Sequence, residues 1–334
     1  MRCALALCLT TLLACEGGPS QEPPTAPLVE TPASAAIAPP AVAPAASVAP
    51  LPEAGKPCGE LSCRQFPSVE AAMALVLETE PAVLAVGEAH AQKGTEGVAS
   101  STKRFTDVIL PMMKGKATDI VLELTVGQDE CKKAVAETEK ATKKVTKNQA
   151  AGNQNEFLTL GNEAKALEIR PHVLRPECKD FDRVAKAKAI EDKVVEMLTL
   201  IARHSEGLLL RILERNAKEN QSDKVVLAYG GALHNDVSPA AGKEPWSFGP
   251  SLTKATENRY VELDIYVPEY IKDSASWKAM PWHAHYDRAA TPDGAVTLYR
   301  TGERSFVLIF APTRGLESPQ EDPAGAAEAQ PSAK

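Results

Sequence analysis

The stretch that decides the fold runs from Ala82 to His90 and reads AVLAVGEAH. Its apolar run ends at Gly87, a pattern typical of a short strand that is buried on both faces and stopped by a turn. In a sheet covered by helices on both sides, ligands usually bind in the loops that follow the carboxyl ends of the strands. We therefore predict that Glu88 and His90 lie in such a loop and belong to a functional site.

A second stretch repeats this pattern later in the chain. Residues Val226 to His234 read VLAYGGALH, which is again an apolar run, a glycine pair and a terminal histidine. Two buried strands that each deliver a histidine at the same edge of a sheet would bring His90 and His234 close together. A polar surface turn after each strand is the simpler alternative.

Glu123 is the most informative carboxylate in the sequence. It lies in the middle of the segment DIVLELTV, residues 119–126, which we predict to be a strand. A carboxylate buried among aliphatic residues is costly unless it is paired, binds a metal or faces a polar pocket. An edge position that faces solvent is the alternative, although the aliphatic neighbours argue against it.

The rest of the domain alternates between helical and strand-like segments. This alternation predicts an α/β fold with βαβ units and a mainly parallel sheet flanked by helices. We predict helices at residues 68–78, 95–113, 128–149, 157–167, 182–203 and 207–216. We predict strands at residues 83–86, 119–126, 168–174, 224–229, 260–267, 295–299 and 305–310. The last two strands, joined by a turn at Gly302, predict a C-terminal antiparallel hairpin at the sheet edge.

The N-terminus indicates export. A basic start at Arg2 precedes an apolar stretch that is too short to span a bilayer, which is typical of a secretory signal. The segment Leu12 to Cys15 (LLAC) resembles the lipobox of bacterial lipoproteins, which implies a signal peptide at residues 1–14 and a lipid on Cys15. Glu16 then favours an outer-membrane lipoprotein of the cell envelope, facing the periplasm or the exterior. A plain signal peptide cut elsewhere is the alternative.

Composition divides the mature chain into three parts. Residues 15–57 are rich in Pro and Ala and cannot bury enough apolar surface to offset the cost of ordering, so we predict a lipid-anchored linker. Residues 316–334 have a similar composition and are predicted to be a disordered tail. Residues 58–315 have the length of one α/β domain.

Cysteine usage agrees with an oxidising compartment. Four cysteines remain in the mature domain, which favours disulfides in an exported chain, and four cysteines permit three pairings. The short spacing of Cys58 and Cys63 favours that pair and leaves Cys131 for Cys178. Free thiols are the alternative, and a zinc site fits poorly because no C-x-x-C spacing is present.

Net charge says little about partners, apart from disfavouring nucleic acid. The chain carries 37 Lys and Arg against 44 Asp and Glu, and only 5% of its residues are aromatic. The absence of a basic stripe and the scarcity of aromatic residues for base stacking disfavour nucleic-acid binding. We expect the membrane, through the N-terminal lipid, and a small-molecule or peptide ligand as partners.

Three short motifs carry a family resemblance. The stretch Gly87 to His90 (GEAH), Glu123 in a following strand, and Gly231 to His234 (GALH) resemble the erythromycin esterase/ChaN-like superfamily, which also includes the Tiki and TraB proteins. Members have two G-x-x-H motifs with a glutamate between them on a parallel α/β core. The resemblance covers most of residues 80–240 and carries over to Glu88, His90, Glu123 and His234. A second histidine soon after His90, found in many members, is missing here.

Two functions follow from these residues. In the first, the protein is a hydrolase: His90, Glu123 and His234 bind a divalent metal (Mn, Co or Zn) with an open position for water, and Glu88 is the general base. A metal-free version, in which His90 activates water, follows from the esterase branch of the resemblance.

In the second function, the protein binds haem or iron without catalysis. His90, His234 or a tyrosine would be the axial ligand, and the haem could be shared across a dimer. Four tyrosines are candidates for that role: Tyr229, Tyr260, Tyr266 and Tyr286. A catalytically silent family member with a structural role is a third reading.

The sequence also contains an H-x-H pair, His283 and His285. On a strand the two imidazoles would share a face, which suits a metal. Pro281 just before them favours a surface loop instead. His172, flanked by prolines, is predicted to be structural, and His204 is predicted to end a helix, where a cationic imidazole suits the helix dipole.

Overall fold

The computed structural model describes residues 55–95 and 97–313. The predicted signal peptide, the lipid site Cys15, most of the linker and the predicted tail lie outside these residues. No helix within the described ranges is long and apolar enough to cross a membrane.

The described chain forms one mixed sheet of nine strands, which confirms the predicted α/β fold class. The strands in chain order are β1 Lys56–Pro57, β2 Arg64–Phe66, β3 Val83–Glu88, β4 Ala117–Thr125, β5 Arg170–Leu174, β6 Val225–Gly231, β7 Tyr260–Tyr266, β8 Val296–Gly302 and β9 Ser305–Ile309. Their order across the sheet is β1-β2-β8-β9-β7-β3-β6-β4-β5. The run from β9 to β5 is parallel, whereas β8, β2 and β1 pair antiparallel at one edge.

Helices cover both faces of this sheet. They are α1 Val69–Leu77, α2 at residues 101–112, α3 Lys132–Val145, α4 Asn153–Ala166, α5 Cys178–Lys186, α6 Ile190–Lys218, α7 Gly249–Ala255 and α8 Ala275–Lys278. One core contains side chains of α1, α2 and α4, and the core on the other face contains side chains of α6 and α7. The central strands are buried on both faces, which explains their continuous apolar runs.

Strand β3 is longer than its apolar run predicts. It pairs in parallel with β6 on one side and β7 on the other, and this pairing continues to Glu88, which lies opposite Gly231 and Ile265. Glu88 is therefore the last residue of the strand, and the prediction that it lies in the following loop is wrong. Hydrogen bonding from two neighbouring strands extends β3 beyond the glycine that was expected to end it.

Helix α2 differs from the predicted helix at residues 95–113. It begins at residue 101, where the Ser100 hydroxyl accepts a hydrogen bond from the Lys103 amide. Its middle, Phe105–Ile109, is a π-helical segment. Pro111 lies two residues after this segment, and the wider turn reduces the clash that a proline ring makes with the carbonyl four residues earlier.

The long helical region after residue 178 is divided differently from the prediction. Helix α5 ends at Lys186, and α6 then runs unbroken through Gly207 to Lys218. The break is stabilised by Lys193, whose ammonium donates to the carbonyls of Val184 and Ala185. His204 consequently lies inside α6 and not at a helix end.

Both predicted disulfides are confirmed. Cys58 pairs with Cys63, and Cys131 pairs with Cys178. The first closes a short loop beside the antiparallel edge of the sheet. The second joins α5 to the start of α3, where Phe181 is buried against the bridge.

Candidate functional site

His90 and Glu88 form a buried pair at the carboxyl end of β3. The Nδ1 atom of His90 donates to Glu88 Oε1 over 2.7 Å, and the two side chains are 0% and 2% exposed. This bond leaves the Nε2 atom of His90 as the acceptor of the neutral ring. Nε2 is buried and has no hydrogen-bond partner among the described residues.

Two hydroxyl groups hold the Glu88 carboxylate in place. Tyr229 on the adjacent strand β6 donates to Oε2 over 2.8 Å. Thr102, in the first turn of α2, lies 3.1 Å from Oε1 and 3.0 Å from Oε2. Because both oxygens are engaged, Glu88 is arranged to orient His90 and has little capacity left to bind a water molecule itself.

Burial and charge act in opposite directions on His90. Burial lowers the pKa of the imidazole, but the hydrogen bond and charge of Glu88, together with the charge of Glu123, outweigh burial and raise the pKa above its ordinary value of 6.5. The charge of Glu123 therefore reaches His90.

Glu123 and His234 form a second buried pair. Glu123 Oε1 lies 3.7 Å from His234 Nε2, and its other oxygen accepts the Gly231 amide over 2.6 Å. The Nδ1 atom of His234 donates to the Trp246 carbonyl over 2.7 Å. That bond fixes the ring orientation and aims Nε2, which has no hydrogen-bond partner in the described chain, towards Glu123.

The two pairs approach from opposite faces of the sheet. Glu88 belongs to the face that carries Leu84 and Val86, whereas Glu123 lies on the other face, which it shares with Val121. Gly230 on the intervening strand leaves the space that the Glu123 side chain occupies. A β-carbon there would lie 2.5 Å from Glu123 Oε2.

The predicted site residues are thus brought to one edge of the sheet, but they are enclosed. A cavity of about 10 Å³ lies beside Glu123 and His234 and is also lined by Ile201 and Ser205 of α6. This volume admits roughly one water molecule. This cavity therefore has room for about one water molecule at the Glu123–His234 pair.

The predicted metal ligands have suitable donor types. His90, Glu123 and His234 offer the nitrogen and oxygen atoms that zinc, manganese and cobalt accept. Within the described chain, however, no group of three or more His, Cys, Asp or Glu side chains is arranged to hold a metal ion. These positions do not fit a three-ligand site, and the metal stays a prediction.

Sequence reasoning missed an acidic cluster next to the site. Burial raises the pKa of Glu262 to about 8, and the charge of Asp264 adds to this effect. Burial also raises the pKa of Asp264 to about 7 and that of Asp236 to about 6. The signal in the sequence was the alternation YVELDIY in β7, which places Glu262 and Asp264 together on one face of a buried strand.

Asp264 is linked directly to the loop that carries His234. The side-chain amide of Asn235 donates to Asp264 Oδ1 over 3.0 Å and to the Ala85 carbonyl over 3.3 Å. Tyr266 donates to the other Asp264 oxygen over 3.0 Å. The acidic cluster therefore anchors the residue that follows His234.

Of the remaining candidate histidines, three contact other groups. His283 and His285 form a short 3-10 turn, and His283 contacts the Lys272 carbonyl. His172 contacts Asp119 over 2.6 Å, and His204 contacts Asp180 over 2.9 Å. The prediction that His204 acts at a helix end is wrong, because the helix continues for 14 residues to Lys218.

The tyrosines named as haem ligands are engaged elsewhere. Tyr229 donates to Glu88, Tyr260 donates to the Asn235 carbonyl and Tyr266 donates to Asp264. Tyr286 packs against Trp282 in an aromatic cluster.

Comparison with known proteins adds little. No protein-family model matches the chain, and no curated protein matches it significantly. Among solved structures, the type III effector HopBA1 is similar with a TM-score of 0.37 and 10% sequence identity, over 72% of this chain and 92% of that chain. The resemblance to the erythromycin esterase/ChaN-like superfamily therefore rests on the sequence motifs.

Proposed function

We propose that this domain is a hydrolase in which His90 is the general base. The observation that carries the proposal is the state of the His90 ring: Nδ1 is bonded to Glu88, and Nε2 is buried without a hydrogen-bond partner in the described chain. A histidine whose one nitrogen is fixed by a carboxylate presents the other nitrogen as a proton acceptor. Thr102 and Tyr229 support this geometry by holding Glu88.

The proposed reaction is attack of water on an acyl group. His90 Nε2 takes a proton from the water as its oxygen bonds to the acyl carbon, and Glu88 stabilises the imidazolium that forms. The intermediate then expels the leaving group, which receives the proton from His90. Protons and electrons balance without a further reactant.

Glu123 and His234 are the second half of the proposed site. Their side chains face the water-sized cavity, and the charge of Glu123 acts on His90. We propose that they position the substrate or the attacking water. A role for Glu88 as general base fits less well, because its oxygens already accept three side-chain contacts.

The test is hydrolysis of aryl esters of increasing acyl length by the full chain with its disulfides formed. His90→Gln is expected to reduce the rate at least a hundredfold, the contribution typical of a general base. His283→Gln, on the outer loop, is the matched control and is expected to leave the rate unchanged. Circular dichroism checks that both variants are folded.

Three outcomes count against the proposal. Equal rates of ester hydrolysis in His90→Gln and in the chain without substitutions would show that His90 is not the general base. Loss of activity with EDTA and recovery with Mn, Co or Zn would favour the metal-dependent reaction. Absence of hydrolysis together with a Soret shift on hemin titration, lost in His90→Gln, would favour the haem-binding function.

We also propose that the domain acts at the cell envelope, anchored by a lipid on Cys15. The LLAC motif carries this proposal, and the two disulfides support an oxidising compartment. Cys15→Ser is expected to move the protein from the membrane fraction to the soluble fraction. Retention of the variant in the membrane fraction would contradict a lipid anchor.

A further inference from the structure

A second cavity, of about 300 Å³, lies at the β5 edge of the sheet. It is formed between β5, the residue that follows this strand, and one side of α6. Its lining is Pro171, His172, Val173, Leu174, Arg175, His204, Leu208 and Arg211. Four of these side chains are basic and none is acidic.

Two arginines of this lining have no polar partner among the described residues. Arg175 and Arg211 are both exposed, and neither guanidinium has a hydrogen bond or ion pair within residues 55–95 and 97–313. The arginines nearby behave differently. Arg183 and Arg203 both bond to Asp180, and Arg215 bonds to Asp119.

The two histidines of the lining are held by carboxylates behind them. His172 bonds to Asp119 and His204 bonds to Asp180, each through Nε2. Both imidazoles are about one quarter exposed, and no described group bonds to their Nδ1 atoms. The ring orientations are thus fixed while one nitrogen of each ring stays available.

Positive charge exceeds negative charge around this cavity. Two arginines line the cavity, and four more form the ion pairs behind it: Arg170, Arg183, Arg203 and Arg215. These ion pairs contain three carboxylates, those of Asp119, Asp180 and Glu219. The whole chain has a net charge of −7. A concave basic surface on an acidic protein concentrates anions locally.

We propose that this cavity binds a small anion with a phosphate or carboxylate group. Guanidinium groups match the planar geometry of carboxylates and the oxygens of phosphate. Arg175 and Arg211 line one cavity, and neither has a hydrogen bond or ion pair with the described residues. The two imidazoles add hydrogen-bonding groups. The volume suits a small organic anion and leaves no room for a folded partner.

The cavity lies close to the proposed hydrolytic site. Val121, which lines the water-sized cavity, pairs with His172 across β4 and β5, and adjacent strands are about 4.8 Å apart. On α6, Ile201 and Ser205 line the first cavity while His204 and Leu208 line the second. The anion site stands independently of the hydrolase proposal, because it shares no lining residue with the first cavity.

The test is calorimetric titration of the full chain, at low salt, with inorganic phosphate in one arm and succinate in the other. The arm with the tighter binding identifies the ligand group. The double variant Arg175→Gln/Arg211→Gln is expected to weaken that binding at least tenfold, the effect of losing one charge-assisted hydrogen bond. Added NaCl is expected to weaken binding to the unchanged chain.

Arg259→Gln is the matched control. Arg259 is exposed and precedes β7, so it lies at the opposite edge of the parallel strands. Binding in this variant is expected to equal that of the unchanged chain. The proposal is overturned if neither anion binds, if the double variant binds as tightly as the unchanged chain, or if Arg259→Gln weakens binding by the same factor.

Discussion

Asp264 occupies the space that a side chain on Gly87 would need. The two residues lie opposite each other in β7 and β3, and a β-carbon on Gly87 would stand 2.5 Å from Asp264 Oδ1 and 2.6 Å from Asn235 Oδ1. The glycine therefore lets the loop after His234 pack directly on the strand that delivers Glu88. Its role is close packing and not the turn that its place in the sequence predicts.

Gly87→Ala should destabilise the domain. The added methyl would also lie 2.7 Å from the Ala232 backbone, which cannot move as a flexible side chain can. We expect the free energy of unfolding to fall by about 1–3 kcal/mol, as for overpacked cores, measured by urea denaturation. Gly152→Ala has open space around it and should change stability by at most about 0.5 kcal/mol. Equal losses in both variants would contradict the packing argument.

Glu88→Gln should lower the pKa of His90. The variant removes the hydrogen-bonded charge that raises this pKa and leaves the burial that lowers it. The rising limb of the pH–rate profile should therefore move to lower pH, because the base must be neutral. NMR titration of the His90 imidazole measures the same shift without a substrate. An unchanged His90 titration would rule out the coupling.

The raised pKa of His90 also predicts how the stability of the domain depends on pH. Because the folded-state pKa of His90 is raised, its favourable contribution is complete below about pH 6.5 and is lost as the pH rises through the folded pKa. This contribution should be absent in Glu88→Gln. Urea denaturation at several pH values across that window compares the two proteins.

Glu262→Gln should stabilise the protein at alkaline pH. The pKa of Glu262 is about 8 when folded, well above its ordinary value of 4.5, so its contribution to stability is lost as the pH rises from about 4.5 to about 8. The difference in free energy of unfolding between Glu262→Gln and the unchanged chain should grow by up to about 1.4 kcal/mol per pH unit in this window. The Gln carbonyl can still accept the Val237 amide. Glu303→Gln, which is exposed, should show no such trend, and a flat difference for Glu262→Gln would refute the prediction.

The two disulfides should contribute unequally to stability. Cys131 and Cys178 are 47 residues apart, whereas Cys58 and Cys63 are separated by 5. Loop-closure entropy gives about 4 kcal/mol for the first and about 2 kcal/mol for the second. Urea denaturation of the two paired Cys→Ala variants tests this order. A larger loss from the Cys58–Cys63 pair would mean that native contacts, and not loop entropy, set the difference.

The sequence predicted the elements well wherever a local pattern determines them. The apolar runs before His90 and His234 are buried parallel strands, and the spacing of the four cysteines favoured the observed pairing. The extent of helix α2 and the continuity of α6 were missed. A proline or glycine marks a place where a helix can change, but packing against the sheet decides whether it does.

The sequence by itself determined which residues reach the carboxyl ends of the strands, because apolar periodicity and strand-ending glycines are local properties. Only the tertiary structure decided what those residues contact. Strand β3 lies between β6 and β7. Tyr229 on β6 therefore contacts Glu88 at the end of β3. Asp264 on β7 contacts Asn235, which lies in the loop that follows β6. Strand order results from packing helices on both faces of the whole sheet. A local pattern does not encode it, so the hydroxyl groups that hold Glu88 could not be predicted. Of the acidic cluster, only the shared face of Glu262 and Asp264 could be.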